Sequence, residues 1–305
     1  MNGIVAQPWP GAAATVFLSL VIPTYNDAQR IAQTLEVVTG FLTRPGRLFE
    51  VIVVNDGSDD QTVSTVRAYA RTHAEVRLIT LPRNQGKGAA VRAGVLAARG
   101  EVVCFCDADL AIPIAHLDGL VSRLRQGADV VIASRALAQS SMLVPQDPLR
   151  WMMSRAFNLV VRTVFGMPYG DTQCGFKGFR REAAVALFAR ARIDSFAFDV
   201  ELLLIARALG HTVVEMPVDV ANSRLTTVSL AAHASRIWRD LWQIHRALRP
   251  FDSGRGPSAR DVAPTHRGVV LSDPDRARSG ESKDDARDAQ GLPGGLRRGA
   301  TRGGR

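Results

Sequence analysis

The sequence predicts an α/β protein with a mainly parallel, Rossmann-like sheet flanked by helices. Three observations carry this expectation. Short apolar runs alternate with amphipathic stretches through the first 135 residues. The runs are apolar throughout rather than alternating with polar residues, the pattern of strands buried on both faces. Between them lie stretches with helical periodicity, so successive strands are joined by helical crossovers and run parallel.

Taken in order, VFLSLVIP is the first strand, followed by a helix at about 27–42. FEVIVVND is the second strand, with a helix at about 60–73, and VRLITL the third, with a helix at about 87–99. EVVCFCDA is the fourth strand, followed by a helix at about 114–126, and ADVVIASR is the fifth. In open parallel sheets, ligands bind beyond the carboxyl ends of the strands. Polar groups gather there: Thr24, Tyr25 and Asn26 after the first run, Asn55 to Asp60 after the second, Asp107 and Asp109 after the fourth, Arg135 after the fifth. The dinucleotide fingerprint G-x-G-x-x-G is missing after the first strand and no Walker A sequence is present, which argues against an NAD or P-loop ATP site.

A chain of 305 residues has room for one large domain or two small ones, and 46% hydrophobic residues is ordinary for a globular protein. The net charge of +9 points to an anionic partner: nucleic acid, a phosphate-bearing substrate or an acidic membrane surface. Nucleic acid is disfavoured because aromatic and basic residues are not interleaved as in a binding module. Cys104, Cys106 and Cys174 read as buried thiols in a reducing compartment, since no second C-x-x-C completes a zinc site. No apolar run reaches the ~18 residues of a membrane span. The N-terminal stretch lacks the basic start and apolar core of a signal peptide. The chain is therefore expected on the cytoplasmic side, with peripheral membrane contact left open.

Composition divides the chain into a flexible N-terminus (1–16), an α/β half (17–135), a second half with an amphipathic C-terminal helix (136–251), and a disordered tail (252–305) rich in Gly, Arg, Asp, Ser and Pro.

The segment VVCFCDADLAIP poses the chemical question, because Asp is poor in strands and costly to bury unpaired. The D-A-D spacing places Asp107 and Asp109 on one side of an extended chain. Two carboxylates aimed together repel unless a cation lies between them, a role suited to Mg²⁺ or Mn²⁺ completed by substrate phosphates. The alternative is that Asp109 caps the next helix and Asp107 is a turn residue. Asp56 is positioned to accept from a base or ribose, while Asp59 or Asp60 caps the following helix. Glycines flank Lys87 at a helix start, which suits either an anion or a plain tight turn.

Eight segments in order carry a resemblance: SLVIPTYNDAQRI, VIVVNDGSDDQT, NQGKGAAVRAG, CDADL, DVVIASR, DTQCGFKGFRREAA, FDVELLLIARALGH and PVDVANSRLT. Together they resemble glycosyltransferase family 2, in the branch of dolichyl-phosphate β-glucosyltransferases and related polyprenyl-phosphate glycosyltransferases. The resemblance runs from about Phe17 to Ser229. It implies a GT-A fold, a sugar-nucleotide donor and a divalent metal, Mg²⁺ or Mn²⁺. By position it puts Pro23, Tyr25, Asn26, Asp56 and Lys87 on the donor nucleotide, and Asp107 and Asp109 on the metal and diphosphate. Where many relatives have Glu after Tyr-Asn, this chain has Asp27.

Residues 136–229 read as an appendage on the sheet edge. Family position puts Asp171, Thr172, Gln173 and Lys177 at the sugar and acceptor site, although CGFKGF alone reads as a buried strand with turns. Arg135, Ser223 and Arg224 are candidate phosphate ligands, given the bonding geometry of guanidinium. Asp199 opens an apolar helix as its N-cap or as a catalytic group. The implied reaction is inverting transfer of a hexose, glucose from UDP-glucose, to a polyprenyl phosphate. GDP-mannose as donor and a soluble phosphorylated acceptor are the alternatives. Membrane contact is expected from 150–166 and 236–251, where Met, Phe, Trp, Ile and Leu mix with arginines. A helix packing on its own domain gives the same pattern, as does a homodimer contact.

Overall fold

A computed structural model of the protein describes residues 16–44, 48–143 and 148–221, together with 239, 242 and 270–271. All five expected strands form: β1 (Leu18–Thr24), β2 (Phe49–Asn55), β3 (Val76–Thr80), β4 (Val102–Cys106) and β5 (Val130–Ser134). Between them run α1 (Ile31–Leu42), α2 (Thr62–Ala70), α3 (Lys87–Ala97) and α4 (His116–Arg125), each inside its expected stretch. The first helix starts later than expected because Asp27 closes a turn ahead of it. The Asp27 carboxylate accepts from Thr24 Oγ1 and pairs with Arg30, and its carbonyl accepts from the Arg30 and Ile31 amides.

The second half supplies β6 (Ser141–Met142), α5 (Pro148–Phe165), β7 (Phe176–Arg180), α6 (Arg181–Phe188), α7 (Phe198–Ala208), β8 (Val213–Pro217) and β9 (Asp219–Val220). A further short strand, β10 (Val270–Leu271), pairs antiparallel with β3. The main sheet has the order β10-β3-β2-β1-β4-β7-β5-β8, and β6 pairs with β9 separately. This corrects the expectation of an appendage on the sheet edge. β7 enters the middle of the sheet, antiparallel to both β4 and β5, while β8 extends the edge beside β5.

Side chains alternate across each strand, so both faces of the sheet carry core. Val21, Val54 and Phe105 pack under α3, α6 and α7, while Leu20, Val53 and Cys104 pack under α1 and α4. Phe105, Phe179, Phe188 and Phe198 form a linked aromatic cluster at ring separations of 5.4–6.2 Å, joining β4, β7, α6 and α7.

Topology then places the functional edge. The parallel strands β1, β2, β4 and β5 deliver their carboxyl ends to one side. Because β7 runs the other way, its amino end opposes the end of β4, with Cys106 across from Phe176 and Phe105 across from Lys177. The loop before β7, which carries Asp171, Thr172 and Gln173, therefore arrives beside Asp107.

Candidate active site

Asp107 follows the last residue of β4, and its Oδ1 lies 2.5 Å from Lys87 Nζ at the first residue of α3. The other carboxylate oxygen packs on Gly175: a methyl group added there would sit 2.0 Å from Oδ2. Asp109 Oδ1 accepts from the Ala111 amide, an Asx turn, and does not cap α4, which begins at His116. Burial and then the neighbouring Asp107 raise the Asp109 pKa, so the two carboxylates do repel. Burial opposes the charge of Lys87, but the Asp107 and then the Asp199 carboxylates outweigh it and raise its pKa.

The start of α3 answers the question of an anion cradle. Three backbone donors there are already engaged: Gln85 and Gly86 donate to the two Asp56 carboxylate oxygens at 2.7 and 2.8 Å, and Gly88 donates to the Asp194 carbonyl at 2.8 Å. Gly86 has φ +109°, and a Cβ there would meet the Asp194 carbonyl at 2.4 Å. A Cβ at Gly88 would meet the Ile193 carbonyl at 2.5 Å. These glycines allow close backbone approach, and the charge offered at this helix start belongs to the Lys87 side chain. Asp56, expected on a base or ribose, is 4% exposed and holds the 84–86 loop. Burial raises its pKa, partly offset by those two amides.

On the donor side, Pro23 lies within β1 and Tyr25 is exposed just past its end. Asn26 adopts φ +53°, tolerable for Asn. Its amide donates to Ser58 Oγ and its side-chain oxygen accepts from the Asp59 amide, joining the β1 and β2 loops. Asp60 accepts from the backbone amide of Thr62, the first residue of α2.

The loop before β7 is held from three sides. Arg135 makes a bidentate pair with Asp171, Nε–Oδ2 2.6 Å and Nη2–Oδ1 3.0 Å, and its backbone amide also donates to Asp171. Asp171 pKa is lowered: burial raises it, but the Arg135 charge and hydrogen bonds prevail. Thr172 donates to Asn158 Oδ1 on α5, and Gly170 donates to Glu215 on β8. The side-chain nitrogen of Gln173 is buried without a hydrogen-bond partner among the described residues. An unmet buried donor is costly in a closed interior and is explained where a ligand completes it.

Lys177, expected on the acceptor phosphate, is instead enclosed. It is 1% exposed and donates to Asp199 Oδ1 and to the Cys174 carbonyl, both at 2.6 Å. The register pairs Lys177 with Phe105, the penultimate residue of β4, and its ammonium is held beneath the rim by Asp199 and the Cys174 carbonyl. Asp199 sits inside the first turn of α7 and makes no capping bond, so the N-cap alternative fails. Burial raises its pKa, opposed by Lys177 and Lys87. Ser223 and Arg224 lie outside the described residues, as does most of 236–251.

The sequence reading missed Gly175, Asn158, Asp194 and Glu215. A Gly beside DTQC and a lone Asn on the buried side of an apolar helix were the available signals; Asp194 and Glu215 act through long-range contacts and left none.

The family model described as Glycosyl transferase family 2 matches residues 19–188. The chain is 37% identical over 214 residues to a dolichyl-phosphate beta-glucosyltransferase of Trichomonas vaginalis, covering 67% of this chain and 64% of that protein. It is 37% identical over 225 residues to a dolichyl-phosphate beta-glucosyltransferase of Drosophila melanogaster, covering 68% and 69%. The human dolichyl-phosphate beta-glucosyltransferase is 34% identical over 215 residues, covering 66% of each chain. The matched segment thus spans about two thirds of these relatives' length, slightly less in the first. Among solved structures, glucosyl-3-phosphoglycerate synthase from Mycobacterium tuberculosis, in complex with Mn²⁺, UDP and glucosyl-3-phosphoglycerate, superposes with a TM-score of 0.59. That match is 20% identical and covers 75% of this chain and 80% of that one, which shows a shared GT-A fold. The match over 19–188, together with the D-A-D edge built by β4, places this chain in glycosyl transferase family 2.

Proposed function

We propose that this chain is an inverting glycosyltransferase that moves glucose from UDP-glucose to a polyprenyl phosphate of the dolichyl type at a membrane surface. The observation that carries the reading is the Lys87–Asp107 contact at the carboxyl edge of the sheet, where the Asp199 carboxylate of the second half also acts on the ammonium. The names of relatives at 34–37% identity support the sugar and the lipid acceptor.

Asp107 and Asp109 offer only hard oxygen donors and repel one another, which fits a divalent cation. Among the described residues no three His, Cys, Asp or Glu side chains form a metal cage. A carboxylate pair suits an ion whose remaining ligands come from a substrate diphosphate. When bound, such an ion supplies electrostatic stabilisation of the departing diphosphate.

The chain's own residues do the rest. Lys87 brings a positive charge to the diphosphate side, and the exposed Tyr25 and the Asn26 loop border the nucleotide. Arg135 and Asp171 fix the loop that presents Gln173, whose unpartnered amide donates to the incoming substrate. An acceptor phosphate oxygen forms the new bond to the anomeric carbon while the bond to the UDP oxygen breaks on the opposite face. That phosphate is anionic near neutral pH, so no strong base is required. Asp199 is already engaged by Lys177 and serves to hold the site.

No helix among the described residues is long and apolar enough to cross a membrane. Peripheral contact is supported by α5, which exposes Met152, Leu159 and Val164 alongside Arg155 and Arg162 and contains no acidic residue.

The test is a panel of radiolabelled UDP-glucose, UDP-galactose, UDP-N-acetylglucosamine and GDP-mannose, each with a polyprenyl phosphate and Mg²⁺ or Mn²⁺. Label should enter organic-extractable lipid from UDP-glucose. Lipid product from GDP-mannose instead would overturn the donor. Sugar appearing only on a soluble acceptor would overturn the lipid.

A further inference from the structure

The Lys87 ammonium is in contact with a carboxylate oxygen of Asp107, and this inference rests on the divalent-cation reading above. Its Nζ lies 2.5 Å from Asp107 Oδ1, while Oδ2 is backed by Gly175 so closely that a methyl there would stand 2.0 Å away. The Asp107 side chain is 38% exposed, so a cation that reaches it competes with the ammonium already on Oδ1. Lys87 is not a stray surface lysine. Its side chain is 16% exposed, and its backbone is fixed by the Asp56 bonds to Gln85 and Gly86 and by the Asp194 carbonyl bound to Gly88.

Charge balance gives the same answer. Lys177 and Asp199 are paired with each other. Asp107, Asp109 and Lys87 are left with a formal charge of one minus; without the ammonium, the two carboxylates carry two minuses, which a divalent ion matches. An ammonium on a flexible four-carbon stem is strongly attracted to phosphate oxygens and can follow them.

We propose that Lys87 is a displaceable stand-in for the divalent cation. In the ligand-free protein it neutralises Asp107 and weakens binding of the bare ion. The diphosphate of the nucleotide draws the ammonium away, so ion and nucleotide bind as a coupled pair. By linkage, each strengthens the other by the same factor.

The test measures Mn²⁺ affinity of the full chain by the electron paramagnetic resonance signal of free Mn²⁺, with and without UDP or GDP and with no turnover. Wild type should bind Mn²⁺ weakly alone and more tightly with the nucleotide. In Lys87→Gln, Mn²⁺ alone should bind roughly two- to fivefold tighter, the scale of losing one partly exposed ion-pair competitor, and the gain from nucleotide should shrink. Lys87→Arg, which keeps the charge, should stay close to wild type. Lys87→Met serves in place of the Gln variant if circular dichroism shows that the latter is misfolded. Unchanged or weaker Mn²⁺ binding in the neutral variant, with wild type still responding to nucleotide, would overturn this inference alone. An unreduced nucleotide gain would overturn the coupling. Absence of Mn²⁺ binding to wild type with either nucleotide would overturn the cation reading beneath it.

Discussion

Lys177 Nζ lies 2.6 Å from Asp199 Oδ1, with side chains 1% and 3% exposed, so an enclosed ion pair ties the inserted strand β7 to the first turn of α7. The ammonium also lies 5.6 Å from the Phe105 ring centre, beneath the end of β4. Three elements that meet at the site thus share one buried charge pair.

Removing one member should cost more than removing both. Lys177→Met leaves the Asp199 carboxylate buried without its cation, and stability should fall by about 3–5 kcal/mol. Lys177→Met with Asp199→Asn should fall by less than the sum of the single changes. Urea denaturation of the four proteins measures this coupling; strict additivity would show that the pair is not an energetic unit.

Gly175→Ala should damage catalysis more than folding. The added methyl collides with the end of a side chain, Asp107, so the carboxylate moves rather than the backbone. A displacement of that kind costs about 10²-fold in rate. Comparing the sugar-transfer rate with the melting temperature separates the two effects.

Gly86→Ala should do the reverse. At φ +109° with a backbone carbonyl 2.4 Å from the new atom, nothing flexible is available to yield. The strained conformation alone costs about 1–3 kcal/mol, and relief requires moving the 194–195 segment. A lower melting temperature should accompany the loss of activity, and an unchanged one would contradict the close approach.

The Arg135–Asp171 pair should make stability depend on pH at the acid end. Asp171 has its pKa lowered from the ordinary 3.8, so its contribution is present above that value and is lost as pH falls through the depressed folded value. Asp171→Asn should destabilise the protein at pH 7 by about 3 kcal/mol, as for a broken buried pair. The difference from wild type should narrow in acid below pH 3.8. Denaturation midpoints across pH 2.5–7 test the sign, and a gap that widens in acid would refute it.

Asp109→Ala should leave the fold intact, because the side chain accepts one local amide bond. Transfer should fall by roughly 10²–10³-fold, the scale of losing one preorganised electrostatic contact. A rate near wild type would remove Asp109 from the diphosphate site.

Strands β1 to β5 and helices α1 to α4 were legible from the sequence because hydrophobic periodicity is local. An apolar run needs burial on both faces whatever its neighbours are, and a 3.6-residue stripe needs a partner surface. The polar tips of β1, β2, β4 and β5 were legible for the same reason, since the ends of parallel strands share one edge. Asp107 and Asp109 stand at that edge by the same rule, just past the end of β4. Less was legible for Lys177: its spacing in CGFKGF fits a rim ligand and a buried strand equally well.

The sequence by itself determined that this is an α/β chain with carboxylates at a common strand edge, and its ordered motifs pointed to the family. Only the tertiary structure decided that β7 enters between β4 and β5, that Lys87 holds Asp107, that Lys177 is sealed against Asp199, and that Asp56 holds a loop. The physical reason is register. Periodicity states which face of an element is buried, but a contact between residues far apart in the chain depends on strand order and alignment. Those are set by the packing of the whole sheet, and no local pattern records them.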